Sequence, residues 1–377
     1  MKSFKNHIVV YVFFLIIGFF YINQKFTIIQ DLDYSENKEK DKRPVMDINR
    51  LDYYPNQFES YFRDNFSLRG YFIKYMGWIY RHIWEKSPKP DGVIIGQNNW
   101  LYNVDKELDC YNGKRNFNDK QLNEVLQEFL YRKRVLDSMG IKMLVVFHPT
   151  KYAVYPENLP PFINSVPKIS SATQLINCFR DSSDIKVFYS RDILVSQKKE
   201  HELFYKGDNH WNDLAGYYVA KEIVNQVDLG IPEIPLTKFC TDTIFNSAGN
   251  LALMMGNAEE YAETRIKYRM CENDAIPFER FKHIAPENVI YTGEFQKSFK
   301  SYNENLPNAV IIRDSFGDAL MPYLQNSFHY STFIWDGWNY SFNLEVIQKE
   351  KPDVVIYMIL ESIIPNIYTN GLSKDWK

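Results

Sequence analysis

Asp208 and His210 stand two residues apart in Tyr205-Lys206-Gly207-Asp208-Asn209-His210-Trp211-Asn212. In an extended segment, residues two apart project to the same side, so this carboxylate and imidazole can face one site. A carboxylate beside an imidazole orients a base and stabilises its imidazolium. That pair needs a nucleophile, and Ser315 is the candidate. In Asn308-Ala309-Val310-Ile311-Ile312-Arg313-Asp314-Ser315-Phe316-Gly317-Asp318 an apolar strand runs straight into Asp-Ser-Phe-Gly. A Ser between a strand and a helix can expose its hydroxyl while N–H groups at the helix start hold an oxyanion. Each part alone has a plainer reading. A Ser at such a junction commonly caps the helix, and an Asp-His pair can tie a loop or belong to a metal site. Together they form a Ser/His/Asp set in the chain order Asp, His, Ser, and that order is free to vary between folds.

Other polar and aromatic residues surround these motifs. Trp211 suits either stacking on a sugar ring or walling the site. Lys151 and Tyr155 are candidate substrate contacts, with a solvated charge at a strand end as the plainer reading of Lys151. His148, at the carboxyl end of a strand, reads as a structural His, and Asp314 as a structural acid. The four cysteines, Cys110, Cys178, Cys240 and Cys271, contain no Cys-x-x-Cys pair and have no His at ligand spacing, which argues against a zinc site. Cys240 and Cys271 are the nearest pair in sequence. Disulfides and buried thiols both remain open at this level.

The chain that must position these residues has 377 of them, 45% apolar, with a formal net charge of −3. That composition belongs to a folded protein with a sizeable core and gives no reason to propose nucleic acid as a partner. The 27 Tyr, 27 Phe and 7 Trp are chiefly core, although exposed rings suit sugars. Residues Ile8 to Ile22 carry no charge and follow Lys2 and Lys5. With their flanks they approach the roughly 17–25 residues of a spanning helix. The basic flank places the N-terminus in the cytoplasm, and no small-x-small cleavage site follows, so an uncleaved anchor is expected over residues 1–30. Asp31 to Arg43 is a charged linker. Gln57 to Trp84 carries apolar residues at helical spacing and predicts one or two amphipathic helices, ended by Ser87-Pro88-Lys89-Pro90-Asp91-Gly92. Linker and helices together fill residues 31–90.

From Val93 on, strands alternate with helices. Strands are predicted over 93–95, 142–147, 185–189, 309–313, 331–335 and 353–360, and helices over 213–227, 319–325 and 343–349. A further helix runs from an N-cap at Asn118 to a C-terminal cap at Gly140. This alternation implies a mostly parallel sheet with helices on both faces and reactive residues at the strands' carboxyl ends. Residues 230–307 are more polar and less periodic and are expected to be an insertion or lid in a domain spanning 91–365.

At this point the sequence resembles a family. Gly207-Asp208-Asn209-His210-Trp211-Asn212 with Gly216 resembles the Asp-x-His-Trp motif of alginate O-acetyltransferase-like (AlgX/AlgJ-type) SGNH hydrolases. Arg313-Asp314-Ser315-Phe316-Gly317 resembles that branch's nucleophile block. Gly96 to Tyr102, Pro149-Thr150-Lys151 with Tyr155 to Pro160, and Lys351 to Val355 with Glu361 resemble three further segments in the same order. The resemblance spans Gln57 to Ile364. It implies a three-layer α/β/α SGNH-like fold behind a transmembrane anchor, with the domain outside the cytoplasm or in the periplasm at the inner membrane. It implies Ser315 as acetyl-accepting nucleophile, His210 as base and Asp208 as its orienting carboxylate, with no cofactor and no metal. The implied partners are a polysaccharide acceptor and a membrane-bound O-acyltransferase as acetyl donor. Asn250 stands where an Asp is often found, and Arg313 where other SGNH enzymes have Gly. Arg313 is therefore a further candidate at the substrate. The expected activity is acetyl transfer to an exported polysaccharide. A carbohydrate acetylesterase using the same residues and a non-catalytic carbohydrate-binding subunit are the alternatives.

Overall fold

The computed structural model describes residues 2–32, 40–84, 87, 91–163, 169–256, 258–286 and 292–373. Residues 33–39 of the expected charged linker lie outside the described residues. So do Pro88, Lys89 and Pro90 of the helix-breaking stretch, and 257 and 287–291 of the expected insertion. The described chain forms two compact units.

The first unit comprises residues 1–93 and 250–261. It holds helices α1 (Lys2–Phe26), α2 (Tyr54–Asn65) and α3 (Arg69–His82). The uncharged run from Ile8 sits inside one continuous helix, whose part from His7 to Phe26 is long and apolar enough to cross a membrane. The amphipathic stretch is two helices because Phe66 is extended and Leu68 takes left-handed backbone, with φ of 64°.

The second unit comprises residues 94–249 and 262–377. At its start β1 (Val93–Ile95) pairs with β2 (Leu101–Asn103), followed by α4 (Asp105–Tyr111). Then come α5 (Asp119–Ser138), β3 (Lys142–His148), α6 (Lys151–Val154), α7 (Ser171–Ser182), β4 (Lys186–Tyr189), α8 (Arg191–Gln197) and α9 (Asp213–Val227). The remaining strands are β5 (Phe239–Ser247), β6 (Glu263–Met270), β7 (Ile276–Pro277), β8 (Gln296–Lys300), β9 (Ala309–Arg313), β10 (Tyr330–Trp335) and β11 (Val354–Leu360). The start of α5 follows its sequence signal: the Asn118 side chain accepts from the Gln121 amide, and Gln121 reaches back to the Asn118 amide. Gly140 supplies the left-handed residue after its end, with φ of 72°.

Seven strands form the central sheet in the order β4-β3-β11-β9-β10-β8-β7. The first five run parallel, while at one edge β8 pairs antiparallel with β10 and β7 antiparallel with β8. Successive residues of a strand face opposite sides, and the core divides accordingly. Leu144, Val146, Ile311, Ile356 and Met358 meet α9 and the helix Met321–Ser327 on one face. Met143, Val145, Val310, Ile312, Val355 and Tyr357 meet α5, α7 and the helix Leu344–Glu350 on the other. This is a three-layer α/β/α unit. Burial on both faces explains why β9 and β11 read as unbroken apolar runs.

The stretch 230–307 splits three ways rather than forming one lid. β5 and β6 make a hairpin, closed at its base by the Cys240–Cys271 disulfide. Residues 250–261 belong to the first unit. β7 and β8 complete the central sheet. The helix expected over 319–325 begins instead as a 3-10 turn, Ser315–Ala319, before Met321–Ser327.

Gly216 on α9 packs against that turn so closely that a Cβ would lie 2.1 Å from the Ala319 carbonyl oxygen. Gly216→Ala should therefore lower stability by about 1–3 kcal/mol through overpacking and displace the turn carrying Ser315. A melting curve unchanged from that of the parent protein would show that the turn yields freely.

Candidate active site

The segment after α8 turns back on itself as a short hairpin. Phe204 bridges Trp211, and the Asn212 amide donates to the Leu203 carbonyl at 2.9 Å. Asp208 and His210 fall near its tip, just before Asn212, which caps α9 by accepting from the Ala215 amide at 3.0 Å. Ser315 follows β9 at the carboxyl edge of the parallel strands. The fold thus brings the three residues into one hydrogen-bonded row. His210 Nδ1 lies 2.8 Å from Asp208 Oδ1, and His210 Nε2 lies 2.8 Å from Ser315 Oγ. An ionised carboxylate only accepts, so the proton sits on Nδ1 and Nε2 is left to take the serine proton.

Two charges that sequence reasoning missed complete this row. Arg265 on β6 donates to Asp208 Oδ2 at 2.9 Å and stacks 4.3 Å from the Tyr205 ring. Glu263, two residues earlier on the same strand, accepts from the Lys206 and Gly207 amides at 3.1 and 3.2 Å. Their spacing of two was visible in the sequence, but the partners lie far away along the chain. Glu107 on α4, also missed, is buried and accepts from Asn209 Nδ2 at 2.9 Å and Asn103 Nδ2 at 3.2 Å.

Electrostatics follows from these contacts. Burial pushes the Asp208 carboxyl up, but the His210 hydrogen bond and the charges of His210 and Arg265 outweigh it and hold Asp208 well below the usual carboxylate range. Burial disfavours the His210 imidazolium, yet Asp208, with Glu107 and Asp314, outweighs that and holds the imidazole above its ordinary value. Burial pushes Glu107 up to about 7.

The remaining candidates lie beneath the row, not at its mouth. Lys151 is buried, and its ammonium donates to the backbone carbonyls of Leu101 (2.8 Å), Tyr205 (2.7 Å), Lys206 (3.2 Å) and Asp208. It is neither a solvated charge nor placed for substrate. Tyr155 is buried with its hydroxyl accepting from the Leu203 amide at 2.9 Å. Trp211 is 2% exposed, and its indole N–H donates to the Phe316 carbonyl at 2.9 Å. A ring so placed cannot stack on a sugar; it ties the His210 segment to the Ser315 turn. Arg313 is fully buried, paired with Asp318 at 3.0 Å and stacked 4.6 Å from Trp335. All four expected substrate contacts are therefore buried scaffold: Lys151 and Tyr155 under the hairpin, Trp211 within it, and Arg313 among Asp318, Trp335 and the Ser315 turn.

His148 is buried, within 3.2 Å of Ser190 Oγ and edge-on to Trp211; burial drives it down to about 3, so it stays neutral. Asp314 anchors the Ser315 turn: its carboxylate accepts from the Phe316 and Leu360 amides at 2.8 Å each and from the Tyr340 hydroxyl at 2.5 Å. The Gly317 amide donates to the Asp314 carbonyl. Two helix-start donors expected to serve an oxyanion are thus engaged within the turn. Gly249 approaches the other half of the site. A Cβ there would lie 2.2 Å from the Gly207 carbonyl oxygen and 2.6 Å from the Asp208 nitrogen. Among the described residues no group of three His, Cys, Asp or Glu side chains is arranged to hold a metal ion.

A three-layer α/β/α sheet with Ser, His and Asp gathered at its carboxyl edge defines an SGNH hydrolase-like protein. Residues 93–279, about half of the chain, match the family described as SGNH hydrolase-like domain, acetyltransferase AlgX. The chain belongs to this AlgX/AlgJ-type family. The "Probable alginate O-acetylase AlgJ" of Pseudomonas syringae pv. tomato is 26% identical over 136 residues, which are 35% of this chain and 32% of that protein. The chain therefore matches about a third of that relative's length. The fold is shared with a DHHW family protein from Eubacterium siraeum, at 17% identity and a TM-score of 0.54 over 75% of this chain and 100% of that one. Bacillus cereus PatB1 shares it at 15% identity and a TM-score of 0.50, over 72% and 96%. The family match stops before Ser315, which enters the site through its distance to His210.

Lys151→Met should lower stability by at least about 3 kcal/mol, since it leaves several buried carbonyls without a donor at about 1–3 kcal/mol each. Calorimetry and steady-state kinetics check this together. A raised KM at unchanged melting temperature would instead make Lys151 a substrate contact.

Proposed function

We propose that this protein is an O-acetyltransferase that moves an acetyl group onto hydroxyls of an exported polysaccharide through an acetyl-serine intermediate. The observation that carries the reading is the 2.8 Å contact between His210 Nε2 and Ser315 Oγ, backed by the 2.8 Å contact between His210 Nδ1 and Asp208. Family membership supports acetyl transfer in the polysaccharide setting.

In the first half-reaction Ser315 Oγ attacks the acetyl carbonyl of the donor while His210 Nε2 takes the hydroxyl proton. The imidazolium so formed is stabilised by ionised Asp208. Collapse of the tetrahedral adduct breaks the bond to the donor's leaving oxygen, which receives that proton. In the second half the neutral imidazole takes a proton from a sugar hydroxyl, whose oxygen attacks the acetyl-serine. Collapse breaks the bond between the acetyl carbon and Ser315 Oγ, the imidazolium returns its proton to Oγ, and the acetylated sugar leaves. The proposed donor side is a membrane-bound O-acyltransferase, and α1 is the proposed single-pass anchor holding the site outside the cytoplasm. Water in place of the sugar would give the esterase. An activated acetyl ester assayed with and without oligosaccharides separates transfer from hydrolysis.

Ser315→Ala and His210→Ala should each reduce acetyl release roughly ten-thousand-fold with folding kept. Near-normal turnover by a well-folded Ser315→Ala protein would reject the mechanism.

The reactive form is neutral His210, so kcat/KM should rise with pH along an acid limb. Because the imidazole is held above its ordinary value, the midpoint should lie above about 6.5. Asp208→Asn removes the charge that raises it, so the limb should move to lower pH while the plateau falls sharply, the amide favouring the wrong tautomer. A pH profile of this variant superimposable on that of the parent protein would remove Asp208 from the reaction.

A further inference from the structure

We propose that α2 and α3 lie flat on the membrane surface, with a shared aromatic face set into the lipid headgroup region beside α1. This rests on the reading of α1 as a membrane anchor, and all the contacts that support it lie within the first unit.

The end of α1 is docked on the α2–α3 elbow. Phe20 packs against Phe66 and Phe72 with ring centroids 5.1 and 5.6 Å apart. Asn23 donates to Ser67 Oγ, Gln24 donates to the Asn65 carbonyl at 3.0 Å, and the Ser67 amide donates back to Gln24 at 2.8 Å. A span from His7 to Phe26 rises roughly 30 Å, about the thickness of a hydrocarbon core. Phe20 then lies about 9 Å inside the end of that span. The elbow touching it is held within the roughly 5–10 Å depth to which an interfacial helix sets its apolar face.

The exposed faces of both helices suit that depth. Phe72, Tyr75, Met76, Ile79 and Ile83 fall on one stripe of α3 and its end. Four of them are exposed, Phe72 at 48%, Tyr75 at 63%, Met76 at 43% and Ile83 at 61%. The opposite side of α3 is turned to protein: Ile73 lies against Gly256, and Lys74 pairs with Glu259 at 2.7 Å. On α2, Tyr54, Phe58 and Phe62 stack at spacings of four, with centroids 5.9 and 6.4 Å apart, and Phe62 meets Phe66 at 5.5 Å. The aromatic ridge therefore runs unbroken from α1 along α2, with Phe58 and Phe62 exposed. A soluble helix turns such a stripe inward, whereas aromatic rings of this kind settle at the membrane interface. Continuity with the anchor selects lipid as the occupant.

The test uses the full chain in lipid nanodiscs, in a Cys110→Ala/Cys178→Ala background that keeps the Cys240–Cys271 disulfide. Single Phe58→Cys, Phe62→Cys, Tyr75→Cys, Met76→Cys, Glu59→Cys and Leu15→Cys variants carry a nitroxide, and collisions with oxygen and with a water-soluble nickel chelate are measured. The expected result is oxygen-rich, nickel-poor exposure at 58, 62, 75 and 76, the reverse at 59, and deep lipid exposure at 15. Nickel-accessible labels at 75 and 76 with a lipid-exposed 15 would overturn this inference and leave the anchor standing. Labels at 75 and 76 shielded from both reagents would overturn it in favour of a protein contact. A water-exposed label at 15 would reject the anchor itself.

Discussion

The site depends on one buried ammonium. Lys151 sits where β3 gives way to α6 and reaches carbonyl groups of β2 and of the hairpin that presents Asp208 and His210. Taking a lysine out of water is costly unless its hydrogens find acceptors, and here they find several. Burial lowers Lys151 to about 8, with Asp208, Glu107 and Glu263 opposing that fall. The cation thereby holds inward the loop that carries Asp208 and His210. Because carbonyls and not side chains are its acceptors, it fixes the path of the backbone, whatever residues occupy positions 205 and 206.

Around that cation the charges alternate. Lys151 and Arg265 face Asp208, Glu263 and Glu107, and each carboxylate also accepts from a backbone or side-chain amide. Such an arrangement lets a buried carboxylate remain ionised where burial alone would protonate it. Asp208 is the case that matters to the proposed chemistry, since only its ionised form can both orient His210 and stabilise an imidazolium. The hairpin β5–β6 supplies Arg265 and Glu263, and its disulfide fixes the strand that carries them. A segment that reads as polar and irregular therefore supplies one of the two cations and one of the three carboxylates.

The Ser315 side is held by different means. Asp314 links the end of β9 to the end of β11 and to Tyr340, Arg313 is clamped between Asp318 and Trp335, and Trp211 bridges to Phe316. Gly216 removes the side chain that would keep α9 away from the turn. These contacts make the Ser315 position a product of packing from three layers. Its strand alone would leave the hydroxyl free to face several directions.

Much of this was legible along the chain. The apolar runs of β3, β9 and β11, the cap at Asn118 and the uncharged stretch of α1 all rest on local rules, because each depends on neighbours within a few residues. Asp208 and His210 do meet, but across a turn in which Asp208 accepts from the His210 amide, not by the alternation of an extended segment. The pairing of His210 with Ser315, Arg265 with Asp208 and Glu107 with Asn209 was decided only by tertiary structure, since those partners are separated by 105, 57 and 102 residues. The same holds for Lys151, Tyr155, Trp211 and Arg313, whose chemistry suited a substrate. Whether a polar side chain meets a ligand or a backbone carbonyl is set by what covers it, and burial is a property of the folded chain, not of spacing. The sign of the His210 shift follows from that cover too, because the imidazole responds to Asp208 beside it and to Glu107 and Asp314 from two distant segments.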